Sequence, residues 1–298
     1  MSVAFVFLDG VGVGPDDPAT NPFAGVPTPT WDALAGGRHG TFTTLDATLG
    51  VAGRPQSATG QATLLSGRDA VAAMDGHYGP WPGPTLKRFL AAGEWLGETA
   101  ARHGPDAVAW GSAYPRGFFD ALARGRLRPN VPVHAAREAG VTLPDLDAYA
   151  RGDAVAADLD GAAFAAMGVD PPGGAPPGPA AAEAAGRRLA RRAATAALTF
   201  LDVWTSDAAG HAADLAAGRA YVARLDAFLA GLLGARNAAT TVVITSDHGN
   251  LEDLGHGRHT RAPVPLAVVG PHADAFAGAT SLLDVAPAVR RALDGTPG

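Results

Sequence analysis

The sequence predicts an α/β fold: a mainly parallel sheet carrying a smaller inserted cap. Three observations lead there. Val3 to Leu8 is a continuous, β-rich apolar run ending in Asp9-Gly10, as in a buried parallel strand with a polar residue at its carboxyl end. Leu198 to Trp204, Thr240 to Thr245 and Val264 to Val269 have the same character, and each meets polar or glycine-containing turns. Between 204 and 240, apolar residues recur at helical spacing within Asp214 to Arg236 (Tyr221, Leu225, Phe228, Leu229, Leu232), and strand, helix, strand in that order predicts a right-handed parallel crossover.

The other elements follow from this frame. Residues 1–80 and 181–298 are read as the core and 81–180 as the inserted cap. Two stretches, Pro80-Trp81-Pro82-Gly83-Pro84 and Pro171 to Pro179, flank that segment as linkers or hinges. A helix from Ala180 to Ala197 returns the chain to the core, and Ser281 to Leu293 closes it. A chain of 298 residues suits one core with one insertion.

Composition narrows the chemistry. With 47% hydrophobic and 17% charged residues the chain reads as a soluble globular protein, and no apolar run is long enough to cross a bilayer. No basic segment precedes the apolar start and no small-residue cleavage site follows it, so a cytoplasmic protein without membrane partners is expected. Cysteine is absent, which excludes disulfides and thiolate ligands or nucleophiles. A net charge of −6 argues against nucleic acid as the main partner.

Ligands of open parallel sheets bind beyond the carboxyl ends of the strands. Asp9 follows the first strand, Asp207 and His211 the second, and Asp247-His248 the third; Gly255-His256-Gly257-Arg258-His259-Thr260 precedes the last. Any one of these has an ordinary structural explanation, a helix cap or a surface imidazole. Their recurrence at successive strand ends points instead to a metal centre. Donors limited to Asp and His suit Mn²⁺ or Zn²⁺, with Mg²⁺ also admissible. The segment from Gly53 to Gly67 supplies a candidate nucleophile: Ser57, after a proline, is expected at a helix N-cap, where backbone N–H groups and the helix dipole favour a phosphate. Thr59 is a rival hydroxyl on the same loop.

Phe7-Leu8-Asp9-Gly10-Val11-Gly12-Val13-Gly14, Gln56-Ser57-Ala58-Thr59-Gly60-Gln61, Ser206-Asp207-Ala208-Ala209-Gly210-His211 and Ser246-Asp247-His248-Gly249-Asn250 resemble, in order, the signatures of the metalloenzyme branch of the alkaline phosphatase superfamily. That branch includes cofactor-independent phosphoglycerate mutase and phosphopentomutase. His259-Thr260-Arg261-Ala262-Pro263-Val264-Pro265-Leu266 is similar to its final histidine motif. The resemblance implies a three-layer alkaline-phosphatase-like core and two divalent cations. Asp9, Ser57, Asp247 and His248 would hold one, and Asp207, His211 and His259 the other; Thr260 favours His259 over His256. It further implies a phosphomutase or phosphomonoesterase acting on a small phosphorylated metabolite through a phosphoserine at Ser57.

The chain departs from the family's mutases at Gly60-Gln61, where they usually carry Gly-His, and in having Lys87 as its single lysine. Arginines would then have to hold phosphate. Gln56 and Arg116 are the substrate-contact candidates, with Arg124, Arg126 and Arg128 in the same stretch as Arg116. A phosphodiesterase or sulfatase of the same superfamily and a non-catalytic metal-binding protein are the alternatives. A dinucleotide-binding reading of Gly10 to Gly14 fails for want of a ribose-binding acid at a second strand, and those glycines are expected to let the backbone approach metal and phosphate.

Overall fold

The computed structural model describes residues 2–295. Six strands form one sheet: β1 (Ser2–Leu8), β2 (Thr41–Leu45), β3 (Val108–Trp110), β4 (Leu198–Val203), β5 (Thr240–Thr245) and β6 (Val264–Val269), in the order β2-β6-β5-β1-β4-β3. β1 lies between β4 and β5 and is parallel to both, with Phe5 opposite Phe200 on one side and Val243 on the other. β3 pairs parallel with β4. β6 runs antiparallel to β5, and β2 antiparallel to β6.

Side chains alternate between the two faces of a strand, and both faces of β1 are covered. Val3, Phe5 and Phe7 enter one core with Leu64 and Leu65 of α1 (Ser57–Ser66), Leu86 of α2 (Pro84–Ala91), Trp95 of α3 (Trp95–His103) and Val131. Ala4, Val6 and Leu8 enter a second core on the opposite face, which includes Leu189, Leu225 and Phe228. The result is three layers. Residues 81–180 supply β3 to the sheet and Leu86, Trp95 and Val131 to the first core, and a satellite cluster of Ala113, Tyr149, Ala154, Ala156 and Phe164 lies within that segment. It also contains α4 (Arg116–Ala123) and α5 (Val131–Glu138). Among the described residues no helix is long and apolar enough to cross a membrane.

The second face is covered by α6 (Pro179–Ala193) and by α8 (Leu215–Ala235), which follows the short α7 (Thr205–Ala212). Asp214 caps α8 by accepting from the N–H groups of Ala216 and Ala217, which fixes the start expected from the sequence. α6 and α8 meet backbone to backbone. A Cβ at Gly186 would overlap the Phe228 carbonyl, and one at Gly231 would overlap that of Glu183. Gly234, on the same helix, faces open space. Gly231→Ala is therefore expected to destabilise by about 1–3 kcal/mol through overpacking. Gly234→Ala should stabilise by roughly 0.5–1 kcal/mol through helix propensity alone. Denaturant titration of the two variants checks the opposite signs.

Candidate metal centre

The acidic and imidazole side chains gather at one edge of the sheet because of strand direction. β1, β4 and β5 are parallel, so Asp9, Asp207 and Asp247-His248 emerge at the same edge. β6 is antiparallel, so the segment before it stays at that edge and brings His259 with it.

Two groups result. In the first, His248 Nε2 lies 3.0 Å from Ser57 Oγ, 3.3 Å from Asp9 Oδ1 and 3.6 Å from Asp247 Oδ2. In the second, His211 Nε2 lies 3.2 Å from both Asp207 Oδ2 and His259 Nε2, and His259 Nε2 is 3.6 Å from Asp207 Oδ1. A four-coordinate ion with bonds near 2.0–2.1 Å sets its donors roughly 3.3 Å apart, so both groups have the dimensions of a coordination shell. The His248 and His259 rings stack with centroids 3.8 Å apart, which makes the groups neighbours. Asp247 and His248 are fully buried, and Asp9, Ser57 and His259 nearly so.

The imidazoles are oriented from behind. Nδ1 faces a backbone carbonyl in each: Gly249 for His248 (3.3 Å), Gly257 for His211 (3.0 Å) and Pro55 for His259 (2.9 Å). A carbonyl only accepts, so Nδ1 is the donor; at His211 and His259 the Nε2 lone pair then points into the group, while His248 Nε2 faces the Asp9 and Asp247 carboxylates and carries a proton that a cation would replace. His256 has the reverse arrangement. Its Nδ1 accepts from the Arg258 N–H and its Nε2 sits 3.6 Å from Asp253, so it takes no part.

Buried side chains hold the carboxylates and loops. Asn250 Nδ2 donates to Asp207 Oδ1 at 2.6 Å. Glu252 accepts from the N–H groups of Gly12 and Asn250, each at 2.8 Å, and from the Thr260 hydroxyl. One carboxylate thus ties the loops after β1 and β5 to the segment before β6. In the glycine run, Gly10 and Gly12 make room for protein carboxylates, since a Cβ at either would overlap Asp207 or Glu252.

Burial raises the Asp9 carboxyl well above the carboxylate range, with the Asp247 charge adding to it, and burial raises Asp247 as well. Burial pulls the His248 imidazole down, but Asp247 and Asp9 outweigh it and push it up to about 10. His259 is pulled down to about 4 by burial and by its neighbour His248. Asp9 Oδ1 is buried without a hydrogen bond. Two crowded carboxylates and convergent imidazole nitrogens are a donor set that divalent cations fit, and the clusters Asp9, Asp247, His248 and Asp207, His248, His259 both have that capacity.

Ser57 is the first residue of α1 and not its N-cap, a position held by Gln56; its hydroxyl makes no capping bond and turns to His248. Thr59, the rival, is fully buried and donates to the carbonyls of Gln56 or Tyr78. Arg116 does not join the centre: its side chain is 94% exposed, beside Asp120. Gln56 is half-buried next to Ser57, and its Nε2 reaches only the Arg54 carbonyl, at 3.5 Å.

Gln61, visible in the sequence only as a departure from the mutases' Gly-His, is the residue to which sequence reasoning gave no role. Its Nε2 donates to Asp9 Oδ2 (3.2 Å) and Asp247 Oδ2 (3.0 Å), and its Oε1 accepts from the Val131 N–H (3.3 Å) at the start of α5. The available signal was its position four residues after Ser57, on the same helix face. Beside it, Asp202 is fully buried on β4; Asn130 Nδ2 donates to its Oδ2 at 2.9 Å, while its Oδ1 has no hydrogen bond. Burial raises this carboxyl to about 7, with Asp247 adding and Asn130 opposing.

Fold and site together define an α/β scaffold with a carboxylate–imidazole cluster at one edge of its sheet. Residues 178–294 match the family model described as the Metalloenzyme superfamily. The 2,3-bisphosphoglycerate-independent phosphoglycerate mutase of Cereibacter sphaeroides is 37% identical over 89 residues, covering 27% of this chain and 18% of that protein. The enzyme of that name from Saccharophagus degradans is 35% identical over 96 residues, covering 30% and 19%. The matched part is thus under a fifth of these relatives' length. Over the whole fold the chain is similar to alkaline phosphatase from the Antarctic bacterium TAB5 (TM-score 0.58, 13% identity, 98% of each chain). It is also similar to Leishmania mexicana phosphoglycerate mutase (TM-score 0.53, 14% identity, 100% of this chain and 96% of that one). Residues 178–294 thus match the Metalloenzyme superfamily, and the chain as a whole has an alkaline-phosphatase-like fold.

Gln61→Leu keeps the side chain's bulk and removes both donors. It is expected to weaken metal affinity by about 10–100-fold, read by competition with a chelator. Asp202 gives a pH signature. Its folded value lies above the ordinary 3.8, so its contribution to stability is full below about pH 4 and is lost as pH rises through about 7. Asp202→Asn should flatten the dependence of melting temperature on pH across that window.

Proposed function

We propose that the chain is a phosphoryl-transfer enzyme working with two divalent cations, a phosphomutase or phosphomonoesterase of a small phosphorylated metabolite, with Ser57 as nucleophile. The observation that carries the reading is the position of Ser57 Oγ: at the N-terminus of α1, 3.0 Å from His248 Nε2, within the carboxylate–imidazole cluster. A structural metal site has no need of a buried hydroxyl turned toward its ligands in preference to capping its own helix. A non-catalytic binder does not require that hydroxyl, and the absence of cysteine disfavours a sulfatase; a diesterase would use Ser57 in the same way and is separated by the substrate assay.

Asp9, Ser57, Asp247 and His248 would hold one cation, and Asp207, His211 and His259 the other. Bound there, the cations would favour the alkoxide of Ser57 and neutralise charge on the transferring group. The chain's own part is positioning. Ser57 Oγ bonds to phosphorus as the ester P–O bond breaks, leaving phosphoserine and an alcohol that takes up the proton Ser57 gave. The N-terminal dipole of α1 favours the anionic group in that place. Return of the phosphoryl group to another hydroxyl of the same molecule makes a mutase, and transfer to water makes a phosphatase. The names of the partial relatives and of the structural neighbours support both outcomes.

The test is an assay of protein reconstituted with Mn²⁺ or Zn²⁺ against phosphosugars, 3-phosphoglycerate and p-nitrophenyl phosphate, following isomerised product and free phosphate separately. Ser57→Ala is expected to lower kcat on the order of 10³-fold or more, with loss of the phosphoserine seen by mass spectrometry in trapped wild-type protein. Chelation should abolish turnover, and full activity in metal-free protein would sink the reading.

A further inference from the structure

Beside the metal centre lies a cleft of about 550 Å³, between residues 78–84 and 125–129. We propose that it receives the part of the substrate that is not transferred, and that it selects a small phosphomonoester presenting a flat ring face and a second negative charge. This rests on the phosphoryl-transfer reading and adds the substrate class to it.

Both walls are tied to the centre through one intervening residue or helix turn. On the first, Thr59 of α1 donates its N–H to the Tyr78 carbonyl (3.0 Å), and the Tyr78 N–H donates to Thr59 Oγ1 (3.1 Å). Next to it, Gly79 is so close to the nucleophile that a Cβ there would lie 3.2 Å from Gln56 Cβ and 3.3 Å from the Ser57 nitrogen. The second wall runs from Arg128 through Pro129 into Asn130, bonded to Asp202, and Val131, bonded to Gln61, which in turn holds Asp9 and Asp247. A molecule with its phosphoryl group at Ser57 has this cleft as an immediate neighbour, and the volume suits a small metabolite.

The lining defines what fits. Tyr78 is 40% and Trp81 45% exposed, two of the four large hydrophobic side chains exposed among the described residues. An exposed indole offers its face to a sugar or a base. The Arg128 guanidinium stands 6.0 Å from the Trp81 ring centroid, and Lys87, the chain's single lysine, lines the same cleft. No acidic residue lines it. In a chain of net charge −6, two cations without a carboxylate between them form a local anion site. Of the arginines singled out in the sequence, the fold brings Arg128 here and leaves Arg116 in solvent.

Isothermal titration calorimetry on Mn²⁺-reconstituted protein, with slow or inert probes chosen from the turnover assay, records binding without depending on the tryptophan that is varied. Four probes separate the two features: glycerol 3-phosphate has neither, 3-phosphoglycerate only the second charge, ribose 5-phosphate only the ring, and fructose 1,6-bisphosphate both. Adenosine 3′,5′-bisphosphate tests a base in place of a sugar. The last two should bind tightest. Trp81→Ala is expected to lower the ring-over-acyclic affinity ratio roughly tenfold, with Trp81→Phe restoring most of it. The Lys87→Ala/Arg128→Ala pair should lower the ratio for the second charge about as much. Turnover with selectivity unchanged in these variants overturns the cleft and leaves phosphoryl transfer standing. Trp81-dependent binding without turnover of any phosphate supports the cleft and removes the catalytic reading. Absence of binding by every probe overturns the cleft whatever the assay shows.

Discussion

Two carboxylates, Asp9 and Asp247, are buried side by side at the edge of a sheet whose faces are both covered, and much of the site's construction answers that crowding. Removing an ionised carboxylate from water costs several kcal/mol even after relaxation, against a total stability of about 5–15 kcal/mol for a typical domain. Such a pair persists only where positive charge or donors meet it. The chain supplies His248 Nε2, the two N–H groups of Gln61 and the Gly10 N–H to Asp247. That supply is thin at Asp9 Oδ1, where His248 Nε2 stands 3.3 Å away without forming a well-aligned hydrogen bond. The centre therefore favours an added cation, and its imidazoles are already turned to receive one.

The single reversed strand is what completes the donor set. A parallel β6 would have begun at the opposite edge of the sheet and carried His259 away from Asp207 and His211. The chain between β5 and β6 contains no crossover helix; it stays at the ligand edge, folds over Glu252 and enters β6 from the same side. Glu252 is 1% exposed, and its bonds reach residues 240 positions away in the sequence. It fixes loop geometry without belonging to the donor set.

Much of this was legible because the physical signals were local. Val3–Leu8, Thr240–Thr245 and Val264–Val269 read as buried strands from unbroken apolar runs, and Asp214 marked the start of α8 within a residue. Asp and His at successive strand ends point to the cluster from the sequence alone. β2 did not announce itself, since Thr41–Leu45 is polar and mostly exposed, and β3 has three residues inside a segment read as an insertion. The reversal of β6 leaves no trace in a strand's own composition. Ser57 was placed one position early because Pro-Gln-Ser admits either cap, and only the fold shows Gln56 extended and Ser57 helical. Arg116 looked equivalent to Arg128 by type and neighbourhood; which one faces the cleft depends on the path from α4 to α5.

Gln61 shows why a departure from the family's pattern deserves a physical reading before a functional one. A neutral imidazole in its place would offer one N–H, and a protonated one would add positive charge where cations are to bind. The amide offers two donors and an acceptor at no net charge. It spends the donors on Asp9 and Asp247 and the acceptor on the first N–H of α5. The helix start that adjoins the cleft is thereby tied to the two carboxylates of the first metal group through one rigid, fully buried side chain. Asn130, the preceding residue, makes the parallel connection to Asp202 and caps α5 by accepting from the Val133 N–H. A shift of α5 cannot occur without breaking bonds to the centre, so the cleft wall and the carboxylates of the centre move as one unit.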